Sequence, residues 1–240
     1  MIELYLNIWV NNDKGIFVKN SLKALFLISL PFVSANASTW YVGASVGRTF
    51  TNNKGTIEAN YPRRYQSDQK KFDSGFLSAS AFVGQSIPVA DVGKVLVEGF
   101  YAYNTEKQEA TSLGGRIADI KVIVERSKTF GFNVGFARPI DDGLDVFAKV
   151  GAVISQFNTK LTDITPRQDY AGRDSQWGWG FAPSLGIQKT IDSVSLGLSY
   201  SYYMYQQFTA KSTDIATQTT YSNKLTPRYH VVEATITKHI

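Results

Sequence analysis

The chain has 240 residues, 25 Lys and Arg against 20 Asp and Glu, a net charge of +5, and 43% hydrophobic residues. That length and apolar fraction suit one domain and exclude wholesale disorder, while zero Cys and two His exclude disulfide frameworks, thiolate zinc sites and cysteine nucleophiles, and argue against a multi-histidine metal centre. The cations are scattered among acids rather than striped along one face, which argues against nucleic acid as a partner.

The first element is "VKNSLKALFLISLPFVSANAS". Lys19 and Lys23 precede an apolar run from Ala24 to Val33, which ends in the small residues "ANA". This is the order of a cleavable secretory signal, and cleavage is expected after Ala37. Residues 1–37 are therefore assigned to the signal region, with 1–17 outside a normal signal and translation starting near Val18 or an unusually long n-region. Residues 38–240 form the mature domain. No run beyond residue 37 approaches the roughly 18–20 apolar residues of a membrane-spanning helix.

From Ser38 onward the hydrophobic period is two, which predicts strands with unlike faces. "TWYVGASVG" sets Trp40, Val42, Ala44 and Val46 against Gly43, Ser45 and Gly47. "SGFLSASAFVGQSI" and "KVLVEGFYAYN" follow, the second setting Tyr101 and Tyr103 against Glu98. "TFGFNVGFA" sets Phe130, Phe132, Val134 and Phe136 against Asn133 and two glycines, and "DVFAKVGAVIS" places Lys149 opposite Val150 and Ala152. "QWGWGFAPSLGIQ", "SVSLGLSYSYYMY" and "YHVVEATITKHI" complete eight segments of about 9–13 residues, the length of a tilted strand crossing a bilayer core. In the sixth segment, "QWGWGFAPSLGIQ", Pro183 removes a ladder donor, so a bulge is expected there.

Two kinds of connection alternate. Short turns begin at Pro88, Pro139 and Thr190, at equal steps along the chain, and are rich in Pro, Asp and Gly. Between them lie polar stretches near 51–72, 105–127, 158–175 and 206–226, each about 20 residues, which read as long loops. The even spacing points to a repeated up-and-down hairpin.

Which face is wet separates two proteins. A soluble, exported ligand-binding barrel turns bulky residues inward, but Trp177, Trp179, Phe130, Phe132, Tyr200 and Leu196 would overfill an eight-strand interior. The bulky face is therefore expected to meet lipid. Tyr101, Tyr103, Phe130, Phe132, Trp177, Trp179, Tyr200 and Tyr202 lie at the strand ends nearest the long loops and would form an aromatic belt at the membrane interface. On the lumen face, Glu98, Lys149 and Glu233 fall at similar depth, with Asn133 beside them. They are expected to form a polar cluster, because a lone charge in a narrow lumen is costly; solvation by lumen water is the alternative.

These features, above all "STWYVGASVG" and "GFNVGFARPIDDGLDVFAKVGAVIS", together with three short turns between four long loops, resemble the eight-stranded outer-membrane barrels of the OmpA and opacity-antigen type over Ser38 to Ile240. The resemblance implies an all-β, antiparallel up-and-down transmembrane barrel, monomeric, in the outer membrane with extracellular loops and periplasmic turns and termini. It also implies lipid and lipopolysaccharide as surroundings, and periplasmic chaperones and the barrel-assembly machinery as partners in biogenesis. The chain ends "ITKHI", where the family typically ends in an aromatic residue.

No cofactor, metal or catalytic residue is expected. Some barrels of this general kind are lipid-modifying enzymes or proteases, but His230 shares parity with lipid-facing Val232 and has no tightly spaced acid or nucleophile beside it. His239 reads as a periplasmic rim residue. Function is then expected in the loops, as a structural or adhesin-like surface protein. In the first loop, Arg63, Arg64, Lys70 and Lys71 offer contact to an anionic surface or host ligand. Weak porin activity is a second reading, doubtful because side chains fill an eight-strand lumen and reopened by a ten-strand count.

Overall fold

A computed structural model describes residues 38–61, 64–90, 92–105, 107–114, 118–163, 171–214 and 218–240. Eleven strands follow one another: β1 (Thr39–Tyr61), β2 (Arg64–Val89), β3 (Gly93–Asn104), β4 (Gln108–Gly114), β5 (Ala118–Asp141), β6 (Leu144–Asp163), β7 (Ala171–Ile191), β8 (Val194–Tyr205), β9 (Phe208–Asp214), β10 (Thr219–Leu225) and β11 (Arg228–His239). Three pairs, β3 with β4, β8 with β9 and β10 with β11, are each one wall strand interrupted by two or three residues. The wall therefore has eight staves, all antiparallel to their neighbours, and β11 closes it on β1 from Tyr41↔His239 to Thr51↔Tyr229. The ten-strand alternative does not occur.

The segments expected to be long loops are largely strand. β1 and β2 stay paired from Thr39↔Ser86 as far as Tyr61↔Arg64, and β5 and β6 stay paired out to Ile120↔Asp163. The reason lies in their side chains. Between polar outward positions, Ile57, Ala59, Phe72, Val122, Val124, Phe157, Leu161, Tyr221 and Leu225 recur at strand spacing and are fully buried inside. Burying this inward face stabilises a sheet where a loop would leave it wet.

The far half, away from the short turns, is built differently from the near half. Among the described residues no ladder joins β4 to β2 or β9 to β7. The staves there separate into two four-stranded sheets, β2–β1–β10–β9 and β4–β5–β6–β7, which face each other across the apolar core. Phe157 from one sheet meets Phe208 from the other with ring centroids 5.0 Å apart.

Pairing of β5 with β6 departs from regular register at two places, one of them between Pro139 and Asp141 beside the second short turn. The other lies between Arg126 and Thr129, a bulge that turns both side chains inward. The bulge expected at Pro183 is absent: pairing of β7 with β8 lapses at residues 182–183 and resumes in the same register. Pro183 has no N–H to offer β8, and the wall tolerates the missing bond without inserting a residue. At the second short turn Gly143 takes φ +66°, and a Cβ there would approach the Thr190 backbone.

Candidate functional site

Along β1 the wall changes character. Outward positions run Trp40, Val42, Ala44, Val46, Arg48 and Phe50, then turn polar with Lys54, Thr56, Glu58 and Asn60. Inward positions run Ser45, Thr49, Thr51 and Asn53, then turn apolar with Ile57 and Ala59. The near half is thus apolar outside and polar inside, and the far half is the reverse. The apolar stretch from Trp40 to Phe50 matches the roughly 9–11 residues a tilted strand needs to cross a bilayer core. Arg48 is its one outward charge, with its guanidinium 5.2 Å from the Phe50 ring centroid.

The eight aromatic residues predicted for the belt all project outward. Tyr101 and Phe130 have centroids 5.0 Å apart, and Phe130 and Trp177 6.1 Å. Tyr103, Phe132 and Trp179 are exposed on the same surface. Tyr202 lies against His230 at 4.8 Å, and the Tyr200 hydroxyl is 2.6 Å from His230 Nδ1. His230 is thereby held among tyrosines on the outer face.

Inside the near half, Lys149 Nζ donates to Glu98 Oε1 at 2.6 Å. Asn133 Nδ2 donates to Glu98 Oε2 at 3.4 Å, and the Tyr41 hydroxyl to Oε1 at 3.0 Å. Glu233 is not bonded to this group: it accepts from Ser45 Oγ at 2.9 Å, and Ser45 in turn meets Ser80 at 2.7 Å. All four predicted cluster residues line one cavity of about 170 Å³ that reaches the short-turn rim. At that rim Lys94 pairs with Asp145 at 3.2 Å, and His239 points inward to Ser195 at 2.7 Å.

Sequence reading missed Tyr41, although it shares parity with Gly43 and Ser45. It also missed Arg126, which is fully buried above the cavity. Its guanidinium donates to Asn104 Oδ1 at 3.0 Å and lies 4.1 Å from the Tyr229 ring centroid and 5.4 Å from that of Tyr203. The alternation Ile120, Val122, Val124, Arg126 was the available signal, hidden inside a presumed loop.

The cluster predicted for the first loop is divided. Arg63 lies outside the described residues, and the Arg64 side chain is not among those described. Lys70 and Lys71 fall on opposite faces of β2, since successive strand residues alternate. Lys70 pairs with Asp68 at 3.0 Å, whereas Lys71 is outward. Elsewhere on the far half, Glu109 bridges Lys107 at 2.7 Å and Lys121 at 2.8 Å. Chiefly through the Lys107 bond, its carboxyl is lowered to about 2. Glu58 is likewise held below the usual carboxylate range, first by Lys224 at 2.8 Å and also by Ser222 at 2.9 Å. Among the described residues no group of His, Asp and Glu could hold a metal ion.

Comparison with solved structures gives neighbours of low identity. Neisserial surface protein A (NspA) is 13% identical, with 84% of this chain and 98% of that one covered and a TM-score of 0.40. OprG of Pseudomonas aeruginosa is 13% identical over 84% of this chain and 97% of that one, at 0.48. Ail of Yersinia pestis is 12% identical over 80% and 98%, at 0.36. No curated protein sequence matches. The outer membrane protein beta-barrel domain model, however, matches residues 21–226. This chain belongs to that family, and the outer membrane is where its apolar wall resides.

Proposed function

We propose that this protein is a plugged, non-catalytic barrel that presents its far half at the cell surface as a folded module, structural or adhesin-like in role. The far half is assigned to the extracellular side, and the short turns and both ends of the barrel to the periplasm. Residues 1–37 act as the signal region, cleaved after Ala37. The exported chain then passes to periplasmic chaperones and the barrel-assembly machinery and inserts as a monomer.

One observation carries the reading: the lumen of the far half is filled by an apolar core from both sheets, with Arg126 beneath it. An open diffusion channel needs a continuous polar bore, and this core interrupts it. The reversal of wall polarity above Phe50 supports an exposed far half, since polar outward residues such as Lys54, Thr56 and Asn60 suit water rather than hydrocarbon. Its outward cations, among them Lys54, Lys71, Arg173 and Lys211, suit an anionic partner, either neighbouring lipopolysaccharide or a host surface ligand.

The test is conductance of the purified protein in planar bilayers. This reading expects no steady channel; resolved, long-lived openings would replace it with a porin.

A further inference from the structure

The outer wall of the near half carries a charge that no described residue answers. Arg138 projects outward from β5, between Phe136 and Ile140 on its own strand and opposite Val146 on β6. Among the described residues it makes no hydrogen bond or ion pair, and none of the acids nearest in sequence, Asp141, Asp142 and Asp145, is bonded to it. Asp141 accepts from the Asp142 amide at 2.8 Å, and Asp145 points inward to Lys94. A guanidinium in an apolar, lipid-facing setting is expensive unless its head reaches water or an anion.

The surface beside it is concave. Outward residues form cross-strand rows, one of which runs Phe136, Ala148, Leu185, Tyr200 and Val232 over five neighbouring staves. Directly opposite residues are only about 4.5–5.5 Å apart at Cβ, so the single methyl of Ala148 between a phenyl and an isobutyl group leaves a notch. The floor reaches the backbone at Gly186. The resulting groove has a volume of about 630 Å³ and is lined almost wholly by apolar side chains, with Arg138 the one charged residue in its lining.

We propose that this groove holds one anionic glycerophospholipid, with its phosphate on Arg138 and an acyl chain running past Ala148 and Leu185 toward Val232. An acyl chain matches the apolar groove, and a phosphate is the bidentate partner a guanidinium favours. The inference rests on the orientation proposed above, which places Arg138 at the headgroup level of the periplasmic leaflet, where such lipids are available.

The experiment uses the full chain, expressed with export and purified from outer membranes in mild detergent. Native mass spectrometry then follows binding of added phosphatidylglycerol or phosphatidylethanolamine. The site predicts one phosphatidylglycerol retained per barrel, about tenfold more readily than phosphatidylethanolamine, with that preference lost in Arg138→Gln. Ala148→Phe, which fills the notch and leaves the cation, should lose retention too; unboiled electrophoretic mobility confirms that both variants fold. Equal retention by Arg138→Gln, or no preference between the two lipids, overturns the site. Arg138-dependent retention of lipopolysaccharide instead of phospholipid overturns the leaflet assignment and, with it, the orientation.

Discussion

Lys149 reaches Glu98 over an intervening strand. Nζ and Oε1 are 2.6 Å apart although β5 lies between β6 and β3 in the wall. The β5 residue it passes is Gly135, paired with Lys149: a Cβ there would lie 2.4 Å from the Ala148 carbonyl oxygen and 2.6 Å from Lys149 Cγ. A glycine therefore lets the lysine lie flat across the lumen, where both charges are largely buried.

Removing one partner should be worse than removing both. Lys149→Met leaves Glu98 with Tyr41 and Asn133 but no cation, and should cost about 3 kcal/mol in urea unfolding from lipid vesicles. Glu98→Gln should cost a similar amount. The double variant should recover most of either loss; unchanged stability in both single variants would mean that the pair is solvated independently.

Gly135→Ala tests the close approach of β5 to β6 without touching a charge. The added methyl would meet the Ala148 carbonyl oxygen and Lys149 Cα as well as Lys149 Cγ, so backbone must shift and the variant should be at least as destabilised as Lys149→Met. Methionine keeps a Cγ at the same place, so Gly135→Ala should stay costly in the Lys149→Met background, which the same urea titration reads.

Phe157 joins the two far sheets through Phe208 and also packs edge-on against Tyr205 at the end of β8, with ring centroids 5.1 Å apart. Phe157→Ala should cost about 3–5 kcal/mol through the cavity it leaves. It should also raise proteolysis in the far half, while the near half keeps its heat-dependent electrophoretic shift.

The far half should loosen in acid. Glu58 is held below the usual carboxylate range chiefly by Lys224, so the stability it contributes is present above its unfolded pKa and is lost as pH falls through its folded value. Amide exchange along β10 should therefore speed up between neutral and strongly acid pH, corrected for intrinsic rates. Glu58→Gln should flatten that dependence.

The membrane half was legible because its outward residues are large and its inward ones small or polar. Trp40, Val42 and Val46 against Gly43, Ser45 and Gly47 show period two directly, and depth counting brought Glu98, Lys149 and Asn133 to one level. Glu233 went to Ser45 because, at similar depth, a hydroxyl on β1 lies nearer than the ammonium. The far half was hidden by its own inversion. Polar outward residues dominate "NNKGTIEANY", and only Ile57 and Ala59 betray its inward face, so the segment reads as loop. The β5 bulge hid Arg126 further, since it breaks the parity that links Arg126 to Asn133.

If the wall reverses polarity above Phe50 and continues as a folded, lumen-filled module outside the bilayer, side chains along β1 should differ in their access to a water-soluble reagent. The chain has no cysteine, so single cysteines can be placed along β1 and labelled in lipid vesicles with a membrane-impermeant thiol reagent. Val42→Cys and Val46→Cys should resist labelling, Lys54→Cys and Thr56→Cys should label readily, and Ile57→Cys and Ala59→Cys should be protected although they neighbour labelled positions. Uniform labelling from residue 52 onward would mean that the far half is an open loop and not a folded module.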